Sequence, residues 1–322
     1  MPSLVDVRLG INPVVQNLIY AHKNADLIGL ELFPQFPFAY DGGTVPIMSP
    51  ENNRSYNTEY ADGAMVNIGQ LQVSRATITM HRHNWTTPVT DGLLEEWMFP
   101  NLAPEVWAAQ NSMDVILRAH EVHCAAIAMA AVNYNAACTL ALAAAWAGVG
   151  AGIIANVFAA KNTVAGLIGK KPNVFWCGED VWQAIQSNTG IQTQAALAKG
   201  HTGGATLAPE LVTKEAVAAI FGVDKVVVGG YLVGSDALPV VYTYLWADTA
   251  GLAYIPKGTS LMEPAFGYTF RPPGYPKPKM GYRMETHHST LYEVNDRLGP
   301  QIVPPRTAAT RTDSGFVFTN CI

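Results

Sequence analysis

The stretch VHCAAIAMAAVNYNAACTLALAAAWAGVGAGIIANVFAA, Val122 to Ala160, contains no Asp, Glu, Lys or Arg. On hydropathy alone it reads as a membrane-spanning helix. A span, however, needs about 20 mainly apolar residues in unbroken helical geometry. Asn133, Asn135, Gly148, Gly150 and Gly152 interrupt this run, and alanine rather than leucine supplies most of it. No aromatic belt or basic flank frames it. The stretch is therefore read as several short elements: the end of a long helix, a short strand closing at Trp146, a glycine hinge, and the start of a second helix. Its lack of charge then reports burial against protein, not lipid.

The whole chain shares that shortage of charge. Of its 322 residues 49% are hydrophobic, but only 14% are charged, against about 25% in an ordinary soluble domain. With so few charges for its exterior, the chain must cover much of its outer surface with other chains. A net charge of −5 excludes tight, non-specific nucleic-acid binding, which needs a basic face, but permits weak local contact. Cys124, Cys138, Cys177 and Cys321 form no C-x-x-C pair and no even framework, which fits free thiols in a reducing compartment. The N-terminus lacks the basic and apolar regions of a secretory signal, so the sequons at Asn53 and Asn84 carry no weight.

Outward from the opening stretch, LFPQFPF is too proline-punctuated for a helix and reads as an extended arm. Residues 41–67 have the Gly, Pro and Asn density of a loop. IGQLQVSRATITMHRHNW alternates, with a change of phase near Ser74 and Arg75 that predicts a bulge or bend. Together these form a long hairpin with little core of its own, to be covered by a neighbouring chain. Asn101 and Pro104 open a long helix whose apolar stripe runs Met113, Ile116, Leu117, His120, Cys124, Ile127, Ala131, Tyr134. A second stripe, Ile153, Val157, Ala160, Val164, Ile168, stops at GKKPN. Beyond it NVFWCG reads as a strand, EDVWQAIQSN as a helix, TGIQTQAALAKGHTGGATLAP as a loop and TKEAVAAIFG as a helix. The remainder is strands and proline-stiffened loops, so the class is α+β with one long helix.

Catalytic signatures are few. GLIGKKPN lacks the first glycine of a phosphate loop, having Val164 there, and Lys171 stands where Ser or Thr would hold magnesium. GVGAGI is one residue off the dinucleotide fingerprint, and neither G-x-S-x-G nor H-E-x-x-H occurs. His120, His123 and Cys124 lie at helical spacing and could converge on zinc. Two of the three fall in the apolar stripe, however, which favours a hydrogen-bonded core histidine beside a buried thiol. His81 and His83 share one strand face, and His287 and His288 point apart; without a further ligand both pairs read as solvated polar face. The seven tryptophans, spread through every segment, read as anchors of cores or subunit contacts.

In this order the segments resemble a tailed-phage major capsid protein over nearly the whole length. LFPQFPF is similar to the family's N-arm, and ENNRSYNTEYADGAMVNIGQ to the tip and return of its extended loop. VILRAHEVHCAAIAMAAVNYN looks like the spine helix, with Arg118 and Glu121 in its Arg–Glu pattern. LALAAAW, GLIGKKPNVFWCGEDVWQAI, EAVAAIFGVDKVVVGG, LWADTAGLAYIP and PAFGYTFR resemble successive later segments. No one motif is specific; their order is. Where most relatives carry charged turns after the Trp, this chain has AGVGAGIIANVFAA.

The resemblance implies an α+β Hong Kong 97-type capsid fold. Its parts are an N-terminal arm (1–38), an extended β-hairpin loop (39–91), a peripheral domain with the spine helix (92–145), an axial domain (146–264), and return strands of the peripheral domain with a C-terminal tail (265–322). It implies a non-enzymatic subunit that self-assembles as hexamers and pentamers into the icosahedral shell around double-stranded phage DNA, without cofactor, metal or membrane. Expected partners are copies of itself, a portal, decoration proteins and, weakly, the packaged DNA; with no room for a fused scaffolding domain, the resemblance implies a separate scaffold protein or unaided assembly. The place of function is the virion, assembled in the host cytoplasm. Contacts between subunits are expected from Arg54, Tyr56, Glu59, Tyr60 and Asp62 at the loop tip, Phe33 and Phe36 in the arm, and Trp246 and Asp248 in the axial domain. The rivals are a bacterial nanocompartment shell of the same fold class, packaging protein, and a metalloenzyme built on His120 and His123.

Overall fold

The computed structural model describes residues 24, 26–40, 42–49, 52, 55, 58–59, 62, 65, 67–70, 72–96, 104–143, 145–146, 152–200, 206–234, 238–279, 281–303 and 311–322. The arm holds one helical turn, α1 (Gly29–Leu32), and then runs extended as β1 (Gln35–Pro37). Strands β2 (Gly42–Met48) and β3 (Val73–Thr79) pair as an antiparallel ribbon. After Met80 come β4 (His81–Thr90), the short α2 (Asp91–Glu96) and the long α3 (Pro104–Met129). Then follow β5 (Thr139–Ala141), α4 (Ile153–Ile168), β6 (Val174–Gly178), α5 (Glu179–Ser187), α6 (Thr189–Ala198) and α7 (Lys214–Phe221). Nine further strands follow among the described residues: β7 (Lys225–Gly229), β8 (Leu232–Gly234), β9 (Tyr242–Tyr244), β10 (Thr249–Ala253), β11 (Gly267–Arg271), β12 (Lys277–Pro278), β13 (Tyr282–Met284), β14 (Ser289–Ile302) and β15 (Gly315–Thr319).

Two sheets organise these elements. In the first, β1 lies parallel to β11, and β14 pairs antiparallel with β11, β12, β13 and β4. Helix α3 crosses it, packing Ala109, Met113, Ile116 and Leu117 on Val294 and Leu298 of β14. The second sheet has the order β5-β15-β10-β6-β7. Every residue of β6 is buried, which only a strand covered on both faces can show. Helix α4 lays the predicted stripe, Ile153, Val157, Ala160, Val164 and Ile168, into this core and ends at Gly169 in the left-handed region, φ 70°. No helix among the described residues is long and apolar enough to cross a membrane. Of the opening stretch, Gly148 and Gly150 lie outside the described residues.

Several sequence expectations change. Residues 42–48 are strand, not loop: Gly42, Gly43 and Pro46 conceal the alternation that buries Val45 and Ile47. No phase change occurs at Ser74 and Arg75. Ser74, Ala76 and Ile78 share the inner face, the Ser74 hydroxyl donating to the Ile47 carbonyl at 3.2 Å, and the chain breaks at Met80 instead. The base of the hairpin is not left for a neighbour to cover, since Val45, Ile47 and Ile78 pack on Ala265, Tyr268, Phe270 and Val303 of the same chain. Residues 189–198 form a helix rather than a loop; Asn188 caps it, accepting from the Gly190 and Ile191 N–H groups, and Ile191 and Ala195 face the core. The final strand β15 returns to the second sheet, between β5 and β10, and not to the first.

Helix α4 offers a direct check of this packing. Ile168→Ala removes a side chain that is 1% exposed and is expected to cost about 2–5 kcal/mol. Phe158→Ala, on the outer face of the same helix at 42% exposure, should stay within about 0.5 kcal/mol. Denaturant unfolding of the two variants measures the contrast.

Candidate assembly surfaces

Glu121 sits on the face of α3 that turns toward both the arm and the second sheet, and it is 1% exposed. Its carboxylate accepts from the Ile28 N–H at 2.9 Å, the Gly29 N–H at 2.7 Å and the Trp246 indole N–H at 2.8 Å. One side chain of the long helix thus holds the start of α1 and the turn before β10. The fit is tight: a methyl on Gly29 would lie 2.6 Å from the Glu121 carboxylate, and one on Gly229 would collide with the Trp246 indole. Burial pushes the Glu121 pKa up, and the three N–H groups recover part of that shift.

One residue earlier, His120 is also buried. Its Nε2 lies 3.0 Å from the Thr269 hydroxyl, and its ring touches the Cys124 thiol at 3.5 Å. His123 turns the other way, against the rings of His81 and His83 at 5.6 and 5.8 Å between centroids. The three residues at zinc-ligand spacing therefore divide between a buried polar contact and a histidine cluster, and no group of three ligands suited to a metal ion occurs among the described residues. Burial, with the neighbouring His83, His123 and Arg271 charges, pushes the His120 pKa down from 6.5 to about 3.

The expected contact residues fare unequally. Phe33 and Trp246 are completely buried within the subunit, Phe33 against Phe266 and Trp246 against Trp176, so neither has surface to offer a neighbour. Phe36 is half-buried on Tyr268 and Phe270. Asp248, at φ 55°, serves an internal turn: its N–H donates to Asp180, and its carboxylate accepts from the Ile322 N–H at 2.8 Å. Glu59 and Asp62 are exposed between β2 and β3, while Arg54, Tyr56 and Tyr60 lie outside the described residues.

Exposed apolar side chains mark the surface that a neighbour could cover. Met65 and Ile68, both 88% exposed, stand on the connection between β2 and β3. Leu238 at 90% and Tyr242 at 66% project from the β8–β9 hairpin. Sequence reading missed the second patch because LPVVYTY has the apolar character of a core strand. Only its setting, a two-stranded ribbon outside both sheets, shows that no core among the described residues receives it.

This architecture has known counterparts. No family model matches the chain. A curated relative, the major capsid protein of Burkholderia phage BcepMu, is 25% identical over 302 residues, 91% of this chain and 93% of the relative. A phage-related protein from Bordetella bronchiseptica superposes with a TM-score of 0.74 at 22% identity, covering 96% of this chain and 97% of that one. The capsid structure of Cyanophage P-SCSP1u gives 0.56 at 10% identity, covering 93% and 89%. The fold is the Hong Kong 97-type capsid fold.

Two outcomes test the Glu121 and His120 positions. Glu121→Ala leaves two backbone N–H groups and an indole N–H without an acceptor, for an expected loss of about 3–5 kcal/mol in denaturant unfolding. For His120, below about pH 6.5 the unfolded chain takes up a proton that the folded chain refuses until about pH 3. The stability tied to neutral His120 is thus complete above 6.5 and lost as the pH falls. Melting temperatures should drop between pH 6.5 and 4, and less steeply in His120→Gln. Glu121 acts in the opposite sense above its ordinary 4.5 and is common to both proteins, so it cancels in the difference.

Proposed function

We propose that this chain is a phage major capsid protein, a structural subunit that self-assembles into the icosahedral head enclosing double-stranded DNA. The observation that carries the reading is the match to the BcepMu capsid protein at 25% identity over 91% of the chain, joined to the capsid fold. The shortage of charge supports it: a subunit whose exterior becomes interface in a closed lattice has little use for Lys, Glu and Asp there. The first sheet with the spine helix forms the peripheral domain, and the second sheet with α4 to α7 the axial domain. The β8–β9 hairpin, exposed and apolar, meets its copies around the five- and six-fold positions, and the β2–β3 loop reaches over the adjacent subunit through Met65, Ile68, Glu59 and Asp62. A separate scaffold, a portal and decoration proteins complete the head, which assembles in the host cytoplasm.

A nanocompartment shell shares the fold class, so the fold does not separate the two readings. The curated relative is a phage protein and favours the head. Electron microscopy of the protein expressed alone and with neighbouring genes is expected to show closed icosahedral shells. Monomers or small oligomers under every condition, scaffold included, would contradict the reading, and shells loaded with a protein cargo would point to the nanocompartment. Leu238→Asp should abolish shells while leaving circular dichroism and melting temperature of the subunit unchanged.

A further inference from the structure

Helix α3 meets the start of β4 through histidines. His81 and His83 stand two apart on β4, and their register opposite Leu298 and Asp296 puts both on the face that α3 covers. His123 reaches them from α3. Its ring lies 5.6 Å from that of His81 at an interplanar angle of 80°, and 5.8 Å from that of His83 at 58°. His83 Nε2 is enclosed by protein and has no hydrogen-bond partner among the described residues, an uncommon state for a buried polar atom.

The surroundings offer such a cluster little counter-charge. His120 of α3 adds a fourth imidazole, buried on Thr269 of β11. Asp296 of β14 faces His83 in the register, but its carboxylate is already matched. It accepts from the Arg271 guanidinium of β11, Nε at 3.0 Å, and from the Arg297 N–H at 2.8 Å. The Arg82 and Arg297 side chains fall on the other face by strand alternation. Histidine is the side chain that gains charge between about pH 8 and pH 5. A second proton on this cluster sets like charges side by side, at the ring separations of 5.6 and 5.8 Å. Burial and the neighbouring His123 push the His83 pKa down, against the pull of Asp296.

The position gives that repulsion an outlet. Met80 is the single residue between β3 and β4, so the cluster lies at the root of the β2–β3 ribbon. Farther along β4 the tie to α3 is of another kind. The Thr87 and Ser112 hydroxyls are 2.7 Å apart, and the Asn111 amide donates to Thr87 at 3.2 Å. Those groups do not titrate; the imidazoles do. We propose that His81, His83 and His123 form a proton-operated latch between α3 and the ribbon root, closed while the rings are neutral and open once they take up protons. Because the closed joint resists protonation of His83, closure is complete above the ordinary histidine value of 6.5 and is lost as the pH falls. The latch is a property of the subunit and stands apart from the head reading.

Amide hydrogen exchange of the full-length protein at about pH 7.5 and about pH 5.5, corrected for intrinsic rate, tests the latch. Protection at the start of β4, His81 to Asn84, should fall about tenfold on acidification, the equivalent of one pKa unit of linked protonation. Protection of β6 (Val174–Gly178), in the second sheet, should hold. His123→Phe keeps a ring against β4 but takes up no proton, and should remove most of the fall. His81→Phe repeats the test from the strand side if the first variant does not fold. His120→Gln should leave the fall in place. Equal loss at β4 and β6 would make the response general acid unfolding and overturn the latch. So would a fall of wild-type size in His123→Phe, or no fall in the wild type.

Discussion

The Glu121 carboxylate is the point on which the rest of the subunit depends. It is a buried acid whose two oxygens hold backbone N–H groups of the arm and the indole N–H of the Trp246 turn. A buried carboxylate is expensive unless its acceptor capacity is filled. Here the donors come from segments 93 and 125 residues apart from it along the chain. Filling it therefore fixes the long helix, the arm and the second sheet relative to one another. A purely apolar contact at this position would permit sliding; three directed hydrogen bonds do not. Rigid placement of two sheets along one helix is what a subunit needs if its edges are to meet identical edges in a closed lattice.

Around that fixed frame the interior and exterior divide the apolar residues in an uncommon way. The second sheet takes the largest share, with Trp146, Trp176 and Trp246 fully buried. Yet Met65, Ile68, Leu238 and Tyr242 stand exposed on extensions that no described part of the chain covers. A monomer would be expected to blunt such edges with charge. This chain instead keeps its charge scarce. That follows if the surface is destined for neighbours.

Local pattern made much of the fold legible. The α4 stripe and its glycine stop could be read to the residue, because helix periodicity and a left-handed cap are properties of adjacent positions. The strand at Val174–Gly178 and the helix after it were equally local. Residues 189–198 were misread because their glycine, threonine and glutamine dilute a stripe of only Ile191, Ala195 and Ala196. Pairings across long sequence distances were not legible. Nothing in GFVFT says that β15 inserts between β5 and β10, and nothing in the arm says that its N–H groups meet Glu121. Among the expected contact residues, large aromatics were mistaken for interface because burial in a core and burial in an interface favour the same side chains. Phe33 and Trp246 proved to be core, while Leu238 carried the exposed surface.

The central claim is that the apolar surface exposed on the subunit becomes interface in a shell. A cryo-EM reconstruction of assembled particles at side-chain resolution tests it most directly. Leu238 and Tyr242 should be buried against copies of themselves around the five- and six-fold axes, and Met65 and Ile68 against the adjacent subunit, with the Glu121 contacts intact. Particles in which these four side chains remain in solvent, or whose contacts run through other surfaces, would contradict the claim.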